Sequence, residues 1–66
     1  MKTCLELPDL PFGIKLEQSE DARGLFRVTY GAQVRDHLSY AEAAKELGLC
    51  IFHALACDGR LNNEGV

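Results

Sequence analysis

What this chain of 66 residues lacks is the first guide to it. No apolar run approaches the ~18 to 20 residues needed to span a bilayer, so no membrane partner is expected. The opening stretch, MKTCLELPDLPFG, has one lysine and no apolar segment ahead of Pro8 and Asp9, which argues against an export signal. Positive charge is not in excess: seven Lys and Arg face ten Asp and Glu, a net charge of −3. That balance removes the long-range attraction that duplex-binding proteins have for phosphate and leaves only a local basic patch to consider. Cysteine is sparse and odd in number, at Cys4, Cys50 and Cys57. A disulfide framework is not expected of such a set. Glycine-rich phosphate loops and dinucleotide fingerprints are missing too, as are repeats and low-complexity segments. The expectation is a soluble cytoplasmic protein without a cofactor.

What is present fits one small domain. Apolar residues make up 47% of the chain, which argues against disorder. A domain of this size buries only about 60% of the surface of its unfolded chain, and small cores of this kind usually recruit a staple, a metal or a second subunit.

Pro8 and Pro11 in LPDLP bar helix and central strand there, so residues 1–11 read as an extended arm. FGIKLEQ then alternates, with Phe12, Ile14 and Leu16 on one face and Lys15 and Glu17 on the other, the period of a half-buried strand. SEDARG is a polar hairpin loop closed by Gly24. LFRVTYG alternates again, turning Phe26, Val28 and Tyr30 inward and Arg27 and Thr29 outward. Gly31 marks a tight turn, and AQVRDHL supplies a third, weaker strand carrying Val34. That strand is expected to end near Arg35, because Asp36 would otherwise point inward.

LSYAEAAKEL carries the clearest local signal. Ser39 and Glu42 form the S-x-x-E capping box, in which each side chain accepts from the other residue's backbone N–H. The residues that follow are good helix formers, and Asp58 with Gly59 provides a stop near Cys57. A rival reading ends the helix at Gly48 and makes LCIFHAL a fourth strand; Ala54, Ala56 and the absence of turn residues favour helix. The expected fold is α+β: a three-stranded antiparallel β-meander packed against one C-terminal α-helix, in the order β-β-β-α. The domain spans 12–59, after an arm over 1–11 and before a polar tail over 60–66.

At ~100° per residue, Tyr40, Ala43, Ala44, Leu47, Ile51, Ala54 and Leu55 share the face expected on the sheet. The opposite side begins with Glu42, Lys45 and Glu46 but continues with Leu49, Phe52, His53 and Ala56. A helix apolar all round is normally buried all round, and a single-layer sheet cannot cover both sides. Leu49, Phe52, His53 and Ala56 are therefore the candidate partner-binding residues, for a second copy or another protein. The alternative is that the arm, with Leu5, Leu7 and Leu10, folds back over them.

Other constellations carry less. Cys50, His53 and Cys57 have the spacing C-x2-H-x3-C, with Cys4 or His37 as a possible fourth zinc ligand; no second close ligand pair exists, and thiols on apolar helices are commonplace. Cys50 and His53 as a nucleophile pair lack an orienting group and an oxyanion loop. Lys15, Arg27, Gln33, Arg35 and His37 are expected on the outer face of the sheet. There Lys15, Arg27, Arg35 and His37 make nucleic acid the alternative ligand, although no aromatic stands among them for base stacking.

A strand, an acidic turn ending in glycine (SEDARG), a second strand (LFRVTY), a short third strand and a capped helix (LSYAEAAKEL) together resemble the small HicB-like antitoxin domain. The resemblance covers about residues 12–57. It implies a β-β-β-α core similar to a reduced RNase-H-like fold that binds and blocks a small RNase toxin, often as an oligomer. The Pro-Gly pair that family carries after its second strand is missing here, and no DNA-binding domain follows the helix. The expectation is a non-catalytic interaction module rather than an enzyme.

Overall fold

The computed structural model describes residues 1–61. It contains one antiparallel sheet in the order β1-β2-β3-β4, made of β1 (Lys2–Leu7), β2 (Ile14–Gln18), β3 (Phe26–Tyr30) and β4 (Gln33–Leu38), and one helix, α1 (Tyr40–Cys57). The α+β class and the C-terminal helix are as expected; the strand count is four, not three. The arm expected over 1–11 is in its first part a strand. Pro8 and Pro11 lie beyond Leu7, so they end β1 without entering it, and an edge strand needs hydrogen bonds on one side only. Of the expected tail, residues 62–66 lie outside the described residues.

Two turns depart from the simple alternation. Phe12, expected inward on the second strand, instead stands exposed in the turn before it with φ +70°. There Gly13 N–H donates to Leu10 C=O (3.0 Å) and Gly31 N–H to Gly13 C=O (3.1 Å). The β3–β4 turn has two residues, Gly31 and Ala32, so Tyr30 pairs with Gln33 and Thr29 with Val34. Directly paired residues share a face. Gln33 and Arg35 therefore share the face of Tyr30 and Val28, and Val34 points outward, the reverse of the expected assignment.

β4 also runs on to Leu38. Phe26 pairs with Leu38 but Val28 with Arg35, so β4 carries one extra residue, a bulge. The bulge holds Asp36 and His37, the latter at φ +59°. Alternation from the inward Arg35 already turns Asp36 outward, and the bulge returns Leu38 to the inner face, which is why the strand need not stop at Arg35.

The capping box forms as read: Glu42 N–H donates to Ser39 Oγ (3.2 Å) and Ser39 N–H to Glu42 Oε1 (3.0 Å). At the other end Gly59 N–H donates to Ala56 C=O and Arg60 N–H to Leu55 C=O, with Gly59 at φ +72°, a Schellman closure. The helix rests on the sheet through Ala43, Cys50 and Ala54, the last fully buried, with Leu47 half-buried beside them. Leu47, Ile51 and Leu55, expected on this face, pack against the same core, and Cys50, outside the expected set, draws the contact line toward its own side. Tyr40 and Ala44, expected against the sheet, are exposed as a result. Leu10, Ile14, Val28, Cys50 and Ala54 make the core.

Candidate functional site

The residues expected to bind a partner lie exposed on α1. Leu49 is 58% and Phe52 65% exposed, and Ala56 is exposed beside them. Residue 52 lies about 200° round the helix from the buried Ala54, so Phe52 points directly away from the sheet. The N-terminal segment does not cover this patch, because it is engaged as β1 with β2 and α1 does not reach β1.

His53 behaves differently from its three neighbours. Its Nδ1 lies 2.8 Å from Tyr30 Oη, the two rings meet edge to face, and Phe12 meets Tyr30 in the same way. The histidine thus ties the last turns of the helix to the end of β3. Partial burial first, then the negative charge that Cys57 and Cys50 carry once ionised, pushes the Tyr30 phenol above its usual 10.0, so it remains a neutral hydrogen-bonding group. Tyr30, Gln33, Glu46, Leu49, Cys50 and His53 line an open hollow of about 380 Å³ between helix and β4.

The thiol and metal readings do not assemble. Cys50 is buried against the sheet while Cys57 is exposed and 3.9 Å from the His53 ring nitrogens. Burial first, then the Glu46 carboxylate, holds the Cys50 thiol above its usual 9.0, which keeps it protonated and unreactive. Among the described residues no three potential ligands converge, and Cys4 stands apart in an irregularity of β1 between Thr3 and Leu5.

The basic patch is dispersed. Lys15 and Arg27 do point outward, but Lys15 lies 3.9 Å from Glu17 and pairs in the sheet with Glu6, while Arg27 binds Asp36. Arg35, expected with them, is on the helix side and reaches Glu46 (3.7 Å). His37 sits in the bulge. The outer face is therefore a surface of mixed charge, with one ion pair within β2 and one between β3 and β4.

One feature of the inner face was not read from the sequence. Leu5 pairs with Leu16 and Leu7 with Ile14, so β1 extends the apolar face beyond the reach of α1. Between that strip and the helix runs a trough of about 190 Å³ lined by Leu16, Phe26, Tyr40, Ala43, Ala44 and Leu47. The alternation of Leu5 and Leu7 signals it, but only once residues 2–7 are taken as a strand. Among the described residues no helix is long and apolar enough to cross a membrane. In comparisons with known proteins, no family model matches the chain, and no curated protein or solved structure is found similar to it.

Proposed function

We propose that this protein is a small non-catalytic interaction and regulatory module that works through the outer side of α1, either pairing with itself or binding and inhibiting a protein target. One observation carries the reading: Leu49 and Phe52 are more than half exposed side by side on a well-capped helix. Two such side chains, each worth roughly 1.5 to 3 kcal/mol when fully buried, form a ready anchor for an interface. The order of strands, acidic turn and capped helix resembles the HicB-like antitoxins, which supports an inhibitor or accessory role of that kind. The dispersed cations of the outer face give nucleic acid no comparable footing.

Leu49→Asp and Phe52→Asp test the reading. Both variants are expected to keep the circular dichroism spectrum and thermal transition of the parent. Both are expected to lose self-association in sedimentation, or binding to a protein that copurifies with the parent. Association unchanged in both variants sinks the reading.

A further inference from the structure

The sheet has room for two helices and the described residues supply one. Four strands ~4.8 Å apart make a face about 19 Å across, whereas a helix with its side chains is about 10 Å wide. α1 lies over β3, touches β2 and β4, and does not reach β1, of which Leu7 packs against the core and Lys2–Glu6 are exposed. At the centre of the uncovered strip Leu5 stands opposite Leu16, with Lys2 opposite Gln18 at its end, and Leu5 is exposed. The helix has the converse mismatch. It has two apolar sides and rests on one sheet, with Ala54 turned in and Phe52 turned out.

We infer that a second copy of this chain meets both needs at once, about a two-fold axis. The helix of each copy lies on the β1–β2 strip of the other, with Phe52, Leu49 and Ala56 set against Leu5 and Leu16. The two helices run side by side along the flank that carries Tyr40, Ala44 and Ile51. This inference rests on the interface reading of the outer helix side and adds what seats there.

Three observations favour a second copy over an unrelated partner. The spare helix side and the spare strip of sheet occur once each per chain, so two copies leave neither uncovered, which is the self-complementarity an isologous interface requires. The areas are also of the right order. A strip about 20 Å long and 10 Å wide, given once and received once, amounts to about 400 Å² per chain in projection. Side-chain relief raises that toward the ~800 Å² per partner of stable interfaces. Finally, edge pairing through β1 is opposed by Lys2, Glu6 and the irregularity at Cys4, devices that blunt sheet edges. Association is thereby directed to the faces.

Light scattering at physiological salt is expected to give twice the 7.3 kDa chain mass; a monomer overturns the inference. Leu5→Lys and Phe52→Asp are each expected to give folded monomers, and their equimolar mixture to recover the dimer, because the introduced ammonium and carboxylate then face each other. A dimer that Phe52→Asp abolishes but Leu5→Lys leaves intact overturns the strip as the seat and spares the helix reading. A dimer indifferent to both overturns the two together. Should Leu5→Lys fail to fold, the size-tolerant pair Leu5→Cys and Phe52→Cys, mixed and oxidised in a Cys4→Ser, Cys57→Ser background, replaces it. A cross-linked heterodimer supports the inference and its absence overturns it.

Discussion

Arg27 Nη2 stands 2.9 Å from Asp36 Oδ2, and Arg27 Nε adds a second bond at 3.2 Å to the same oxygen. The pair joins β3 to the bulge of β4, and Asp36 Oδ1 also accepts from His37 N–H (2.8 Å). The guanidinium first, then that backbone N–H, holds the Asp36 carboxyl below its usual 3.8. Glu42 is held below its usual 4.5 by the Ser39 backbone N–H and then the Ser39 side chain.

Both shifts predict an acid limb. In each case the folded carboxyl binds protons less readily than the unfolded one, so the unfolded state carries more protons and stability rises with pH. The contribution is whole above pH 4.5 and is lost as pH falls through the lowered folded values. Asp36→Asn and Glu42→Gln should each flatten the acid side of a plot of urea midpoint against pH between about 5 and 2. Limbs that superimpose on the parent's would deny these two groups the role.

Ser39→Ala removes one half of the capping box and leaves the Glu42 N–H without its partner. Loss of such a cap costs about 1 kcal/mol, which in a domain of this size lowers Tm by about 4 to 8 °C. Differential scanning calorimetry checks it. Ser39→Asp, which also caps, should recover most of the loss.

The parts of this fold that were legible in the sequence are those fixed by neighbours in the chain. The capping box needs only Ser39 and Glu42, three residues apart, and the alternation of β2 and β3 needs only its own residues. Misread features depended on counting across a turn. The two-residue loop at Gly31 and Ala32 decides which face Arg35 takes, and an offset of one residue there moves every side chain of β4 to the other face. On the helix, spacing alone placed Ala43, Leu47, Ile51, Ala54 and Leu55 on the sheet, whereas burial of Cys50 draws the contact toward its own side and leaves Tyr40 and Ala44 exposed. Of the candidate site, Leu49, Phe52 and Ala56 were legible, since surplus apolar residues on a helix need no knowledge of the sheet. The β1 strip was hidden by the two prolines that follow it.

Gly31 and Gly59 both adopt left-handed φ, +60° and +72°, yet they should respond unequally to alanine. A Cβ at residue 59 would meet nothing within 4 Å, whereas one at residue 31 would lie 3.1 Å from Phe12 Cβ. Each substitution carries the backbone cost of about 1 to 2 kcal/mol. Gly31→Ala must also displace Phe12 from its edge-on seat against Tyr30. The larger fall in Tm is therefore expected for Gly31→Ala, and equal falls would show that the Phe12 turn gives way freely.

Ile14 is 2% exposed at the centre of the core, and Ile14→Ala is expected to cost about 2 to 5 kcal/mol. A core this small rarely supplies more than about 3 to 5 kcal/mol by itself, so the variant as an isolated chain should be largely unfolded at 25 °C. A two-fold dimer changes that outcome, because association stabilises the folded chain by mass action. Ile14 lies beneath the surface of each copy and does not itself face the partner, so the interface survives the substitution. Circular dichroism of Ile14→Ala should then show helix content that rises as concentration is raised a hundredfold. The double variant Ile14→Ala, Phe52→Asp should stay unfolded throughout. A helix content independent of concentration in the single variant would mean that each chain carries its stability alone.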